Sequence, residues 1–315
     1  MAGIEPGAGA GPASPGPGQT GTTAVVTDSA AALPQAWMAD GGPAAGVAVV
    51  PMPIIISGRH YDEGSDSIVK PLSVALAEGA GVRTSRPAPG HFQSVYRRLE
   101  REGAEEIVSI HLSGGLSGTV DAARWAAGTV SVPVHVVDSR TVAMAQGYGV
   151  AAAVRALRAG ATAREAADIA AKACSRTRLL CYVPSLDQLR RGGRVGVAAG
   201  FFGSLLAVKP LLTVRDGAIE PLETVRTAAR AQARLLELVE EELDRRPDGS
   251  LAAFHYFGNQ PQVRAAGERF STDGQVLLTQ LPAVLAAHTG LGVIAVAVCD
   301  PLGPSDAASP APQQS

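Results

Sequence analysis

Short apolar runs alternate with helical periodicity along most of the chain. Residues 24–27, 47–56, 106–111 and 133–137 are continuous or β-branched-rich apolar stretches, the pattern of strands buried on both faces. Between them, 93–102 carries Val95 and Leu99 at i, i+4, 120–127 is rich in Ala, and 142–159 is a long Ala/Val segment ended by Gly160. Strand and helix in alternation imply right-handed crossovers and a mostly parallel sheet in three layers. A second unit is predicted to begin near Thr162, where Thr162-Ala163-Arg164-Glu165 reads as a capping box before an amphipathic helix ending around Ala173. A strand at 179–183, a helix at 186–191 and a hairpin follow. The hairpin pairs 211–214 with 219–222 across Asp216-Gly217, a strong turn signal. Leu235, Leu238, Val239 and Leu243 share one helical face before Pro247, and strands are predicted at 252–257, 276–279 and 293–299.

The expected fold is α/β in two domains. Residues 23–160 form an N-terminal three-layer α/β/α domain with a mostly parallel sheet, and 161–300 form a C-terminal α/β domain with a mixed sheet. Residues 1–22 and 301–315, dominated by Gly, Pro, Ala and small polar residues, bury too little apolar surface to offset ordering entropy and are predicted to be disordered tails. No internal repeat has a fixed period.

Composition narrows the function classes. The chain has 315 residues, 46% hydrophobic and 18% charged, enough for a sizeable core. Its 27 basic and 29 acidic residues give a net charge of −2, with no long Lys/Arg run, which argues against a protein that coats a nucleic-acid duplex. No apolar stretch reaches the roughly 18 residues of a membrane span, and the N-terminus lacks the pattern of a signal peptide, so a cytoplasmic location is expected. Cys174, Cys181 and Cys299 are scattered, with no CxxC pair, and suggest a reducing compartment and no zinc site. At 4%, aromatic residues are too few for extensive base or sugar stacking.

The most informative segment for chemistry is 109–119, running from a buried strand into a helix through Ser113-Gly114-Gly115-Leu116-Ser117-Gly118-Thr119. Its glycines let backbone N–H groups converge, and the helix start adds partial positive charge. It reads either as an anion pocket using Ser113, Ser117 or Thr119, or as a tight turn in which Ser117 or Thr119 caps the helix. A phosphate-binding P-loop would need Gly-Lys-Ser/Thr and has no Lys here; a nucleophile elbow would need Gly where Thr119 stands. Thr27-Asp28-Ser29, Asp138-Ser139-Arg140 and Thr84-Ser85 are further polar strand ends that an open α/β sheet could bring to one crevice, although helix capping is the favoured reading of each Asp over a catalytic role. His288-Thr289-Gly290 lies just before the last strand. Leu189-Arg190-Arg191-Gly192-Gly193-Arg194, with Lys209 and Arg226 after it, reads as a docking patch or a solvated basic surface. The apolar run 201–208 reads as core or as the lining of a ligand tunnel.

Taken in order, Val26-Thr27-Asp28-Ser29-Ala30, Arg83-Thr84-Ser85-Arg86-Pro87-Ala88-Pro89, the 113–119 loop, Val136-Val137-Asp138-Ser139-Arg140, the 189–194 segment, Val208-Lys209-Pro210-Leu211-Leu212, Val225-Arg226-Thr227 and His288-Thr289-Gly290 resemble the DegV family of bacterial fatty-acid-binding proteins. The resemblance covers nearly everything between the tails. It implies a non-catalytic subunit that holds one long-chain fatty acid as its ligand and needs no cofactor or metal. The carboxylate would lie against Thr84, Ser85, Ser113 and His288, with Ser117 and Thr289 in the same two motifs. It further implies presentation of that carboxylate to a separate ATP-dependent fatty acid kinase subunit, docked through Arg194 and Arg226, with the acyl phosphate entering phospholipid metabolism. Transient membrane contact is compatible with this; nucleic acid is not an expected partner. Two positions depart from the family pattern: Gly114 replaces a frequent second Ser, and Leu291 replaces a frequent Pro. Two alternatives remain, an enzyme of the dihydroxyacetone kinase-like fold acting through His288 or Ser117, and a lipid-responsive regulatory sensor. ATP consumption by the isolated protein separates the first alternative from the others.

Overall fold

The β-branched runs of the first half pair side by side in parallel. In the computed structural model, which describes residues 22–62, 68–195, 208–270 and 276–302, β1 (Thr23–Asp28) lies between β2 (Ala48–Val50) and β6 (Glu106–His111), and β7 (Val134–Asp138) adds to β6. On one face α3 (Pro89–Arg101) and α4 (Thr119–Ala127) bury Phe92, Tyr96, Ala122, Ala123 and Ala126 against Val26 and Ile107. On the other, α5 (Met144–Arg158) and α6 (Ala163–Arg176) cover Val25, Val108 and Ile110 with Val150, Val154, Ala166 and Ala170. This is the expected three-layer unit.

Two expectations need correction. The run at 47–56 is not one strand but two. Pro51 carries no N–H for a ladder, and the chain leaves β2 there to form β3 (Pro53–Ile56), which pairs antiparallel with β4 (Arg59–Asp62) and β5 (Val82–Thr84) in a separate small sheet beside α2 (Val69–Glu78). The helix after Thr162, with its capping box in place, does not lie on the second sheet. It packs along α5 and onto β6 and β7, because Gly149 has no side chain where a Cβ would come within 2.2 Å of the Cys174 sulfur. The chain passes to the second sheet only at β8 (Arg178–Tyr182).

That sheet is mixed. Its order is β10 (Ala218–Val225), β9 (Lys209–Arg215), β8, β13 (Ile294–Cys299), β11 (Leu251–Tyr256), β12 (Val276–Gln280), and only the β11–β12 pair is parallel. The Asp216–Gly217 turn closes the hairpin with φ of +51° and +83°, the left-handed pair that the right-handed twist of two-residue hairpins requires. One face is covered by α8 (Ala228–Asp244) and α9 (Gln260–Glu268), whose Ala231, Leu235, Val239 and Val263 meet Phe254, Val296 and Leu211. The other face turns toward α5, so Met144, Tyr148 and Ala151 share a core with Ala253, Ala295 and Ala297. Ala-rich α5 is therefore buried between two sheets.

Candidate functional site

Beside α5 the two sheets do not close completely. A cavity with about 920 Å³ of atom-free space, its open mouth included, lies between the face of the second sheet, the 112–117 loop, the end of β5 and α10 (Ala283–Thr289). Its walls are almost wholly apolar. Leu179, Cys181 and Val183 alternate on one face of β8 and its extension, and Ala295 and Leu212 stand opposite Cys181 in register on the flanking strands. Met52, Leu112, Val142, Leu281, Val284 and Leu285 add to the walls.

At one end the lining turns polar, with Thr84, Ser85, Arg86, Ser117, Arg194, His288 and Thr289. Thr84 ends β5 and His288 sits in the last turn of α10, where their Oγ1 and Nε2 atoms meet at 2.7 Å. Burial, reinforced by the Arg194 guanidinium, pushes the His288 imidazole down from 6.5 to about 4, so it is neutral at physiological pH. The ring can come this close to the turn after α7 (Asp187–Arg191) because Gly192 lacks a Cβ, which would lie 2.3 Å from Nδ1. Arg194 leaves that turn, donating from Nε to the Leu116 carbonyl at 3.1 Å and from Nη1 to the Gly192 carbonyl. Ser117 shares a 2.8 Å hydrogen bond with Thr119, and Thr289 donates to the Leu285 carbonyl at 3.1 Å. Ser85 donates to the Arg86 carbonyl from an exposed position.

Ser113 and Arg226, both singled out in the sequence, stand outside the lining. Ser113 is fully buried and absent from the lining: its hydroxyl donates to the Gly217 carbonyl at 2.6 Å and accepts the Gly115 N–H, locking the loop to the hairpin turn. Arg226 lies exposed between β10 and α8, away from the cavity lining. Arg194, expected on the surface with it, is instead half-buried in the cavity wall, drawn in by two backbone acceptors. Lys209 donates to the Pro184 carbonyl. Of the apolar run 201–208, residues 201–207 lie outside the described residues, and Val208 packs on the core.

The aspartates act as structural acceptors. Asp28 is fully buried and accepts from the Ala30 N–H at Oδ1 and the Leu112 N–H at Oδ2, each at 3.0 Å, while His111 Nδ1 also stands 3.0 Å from Oδ2. Asp138 accepts from Gly114 N–H at 3.1 Å and from Arg140 N–H at 2.9 Å. Gly114 gives that carboxylate room, since a Cβ there would lie 2.8 Å from Oδ2. The cavity-lining residues that sequence reading missed include Met52, Arg86, Val142, Ala143 and the β8 face. The alternation of Leu179, Cys181 and Val183 marked one apolar face, but nothing local distinguished a face lining a void from one facing a packed helix. No helix among the described residues is long and apolar enough to cross a membrane.

Comparison with known proteins places this geometry. A family model described as an uncharacterised protein of the DegV family matches residues 22–300. A DegV domain-containing protein of Streptomyces coelicolor is 42% identical over 279 residues, covering 87% of this chain and 97% of its own length. One from Mycobacterium tuberculosis is 34% identical over 289 residues, covering 90% and 99%. Among solved structures, a DegV family protein from Thermus thermophilus described as binding fatty acid superposes with a TM-score of 0.78 at 31% identity, covering 89% of this chain and 99% of its own. DegV from Bacillus subtilis, described as a fatty acid binding protein, gives 0.78 at 27% identity, covering 89% and 100%. The motif order, the paired sheets and these full-length matches agree, and the chain belongs to the DegV family.

Proposed function

We propose that this protein binds one long-chain fatty acid in the cavity between its sheets, with the carboxyl group at Thr84 and His288, and presents that group to a separate ATP-dependent kinase subunit for conversion to an acyl phosphate used in phospholipid metabolism. The observation that carries the reading is an apolar cavity ending in a hydroxyl–imidazole pair. Burying about fourteen methylenes at ~0.8 kcal/mol each contributes on the order of 11 kcal/mol before ordering costs, enough to retain the acid without a covalent bond. Fatty acid binding by the relatives from Thermus thermophilus and Bacillus subtilis supports the ligand class. A carboxylate offers about four lone-pair sites, so one anchored at Thr84 and His288 keeps others available as a nucleophile toward a phosphoryl donor. The kinase partner rests on the family resemblance alone, and exposed Arg226 is the residue we assign to its docking.

Native mass spectrometry of the purified full chain is expected to find a co-purifying acid in one-to-one ratio, and titration of delipidated protein with palmitate to refill the site. Failure of both overturns the ligand assignment. Arg226→Glu is expected to leave palmitate affinity unchanged while slowing acyl-phosphate formation with a kinase subunit, most at low salt. Normal coupling in that variant removes Arg226 from the docking surface.

A further inference from the structure

Two guanidinium groups stand at the polar end of the cavity with no acidic counterpart among the described residues that line it. Arg86 follows Thr84 by two residues, Arg194 follows the turn after α7, and both line the cavity, whose lining includes no Asp or Glu among the described residues. They approach the same loop from opposite halves of the fold. Arg194 Nε donates to the Leu116 carbonyl at 3.1 Å, while the Arg86 side chain lies along Gly118, where a Cβ would come within 2.8 Å of Nη1 and 3.1 Å of Cδ. Ser117, itself a lining residue, is thus flanked by a cation on each side.

The two arginines are not equivalent. Arg194 already donates to two backbone carbonyls, whereas the Arg86 guanidinium makes no hydrogen bond or ion pair among the described residues. Its donors are the ones left for a ligand. The remaining polar groups at this end are hydroxyls and a neutral imidazole, and these hydrogen-bond a carboxylate, an ester or an alcohol alike. Only the guanidiniums discriminate by charge, and a guanidinium fork matches a carboxylate in two parallel hydrogen bonds.

We propose that Arg86 is a specificity-determining residue of this cavity: with Arg194 across Ser117, it selects lipids carrying an ionised head group over neutral lipids of the same chain length. The proposal rests on the fatty-acid reading above. Its test compares palmitate with 1-hexadecanol, which share a sixteen-carbon chain and differ in head-group charge, on delipidated full-length protein. Wild type is expected to prefer palmitate. Arg86→Gln is expected to lower palmitate affinity about tenfold, the size of a lost hydrogen bond to a charged group, while leaving hexadecanol affinity unchanged. Arg86→Lys, which keeps the charge but not the fork, is expected to fall between. Equal loss for both lipids, or no loss for either, overturns the assignment of Arg86 alone. A wild-type protein that binds neither lipid overturns the fatty-acid reading and this assignment with it.

Discussion

Thr84 and His288 are 204 positions apart in the chain and 2.7 Å apart in space, and each supplies what the other lacks. A neutral imidazole has one N–H and one bare nitrogen, so its bond to Thr84 fixes how the hydroxyl can face a ligand. Thr84→Val keeps the branched shape and removes the hydroxyl; palmitate affinity is expected to fall about tenfold with the unfolding midpoint nearly unchanged. Ser113→Ala is expected to behave in the opposite way. Its hydroxyl satisfies the buried Gly217 carbonyl, so its loss should cost roughly 1–3 kcal/mol in stability, read by denaturant titration, with a smaller effect on affinity. A larger loss of affinity than of stability would place Ser113 at the ligand. Ala143, in the cavity wall, holds φ +57° and ψ −151°, a region that glycine tolerates and alanine does not. Ala143→Gly is expected to stabilise the protein by about 1 kcal/mol, and a destabilisation would show that the wall needs the methyl group more than relief of strain.

At the scale of elements, the site is assembled by the hairpin of β9 and β10 reaching across to the 113–119 loop. Gly217 brings its carbonyl to Ser113, Arg140 donates to the Asp216 carbonyl at 2.8 Å, and Val214 and Ile219 on the same hairpin line the cavity. Gly217→Ala puts a Cβ at φ +83° and 2.8 Å from Ser113 Oγ. A cost of about 1 kcal/mol or more in the denaturant midpoint, together with weaker palmitate binding, is expected. The hairpin itself was legible from Asp216-Gly217 and the apolar alternation on each side. Its partner was not, because turn chemistry specifies how two strands join but carries no information about which distant loop the turn will touch. The break at Pro51 was legible in principle and overridden by the unbroken hydrophobicity of 47–56, a reminder that a missing N–H outweighs an apolar pattern when a strand must continue.

Across the whole molecule, α5 between two sheets forces imidazoles into places where they stay neutral. His255 on β11 is fully buried, accepts the Met144 N–H at 3.3 Å, and is pushed by burial down to about 3; its Nδ1 has no partner among the described residues. His288 is held near 4 at the cavity. In the unfolded chain both would take a proton near 6.5, so below that pH the unfolded state binds more protons than the folded one. The stability that both contribute is complete above about pH 6.5 and declines as pH falls through the window down to about 3 to 4. Thermal unfolding followed from pH 7 to 4.5 should show a falling midpoint, with a shallower slope in His255→Asn. An unchanged slope in that variant would assign the acid sensitivity to other groups.

The chain's own pattern determined the local elements, the α/β class and the family, because buried strands, a capping box, a two-residue turn and ordered motifs are written in neighbouring residues and read at short range. It placed Thr84, Ser85, Ser117, Arg194, His288 and Thr289 among the residues of interest. Only the tertiary structure decided that these six line one cavity while Ser113 serves as a lock, that Arg194 turns inward while Arg226 stays exposed, and that Arg86 faces the same space. Those distinctions depend on which backbone carbonyl a side chain finds across the fold and on whether an apolar strand face meets a helix or a void. Both are properties of packing between segments up to two hundred residues apart, and no local pattern encodes them.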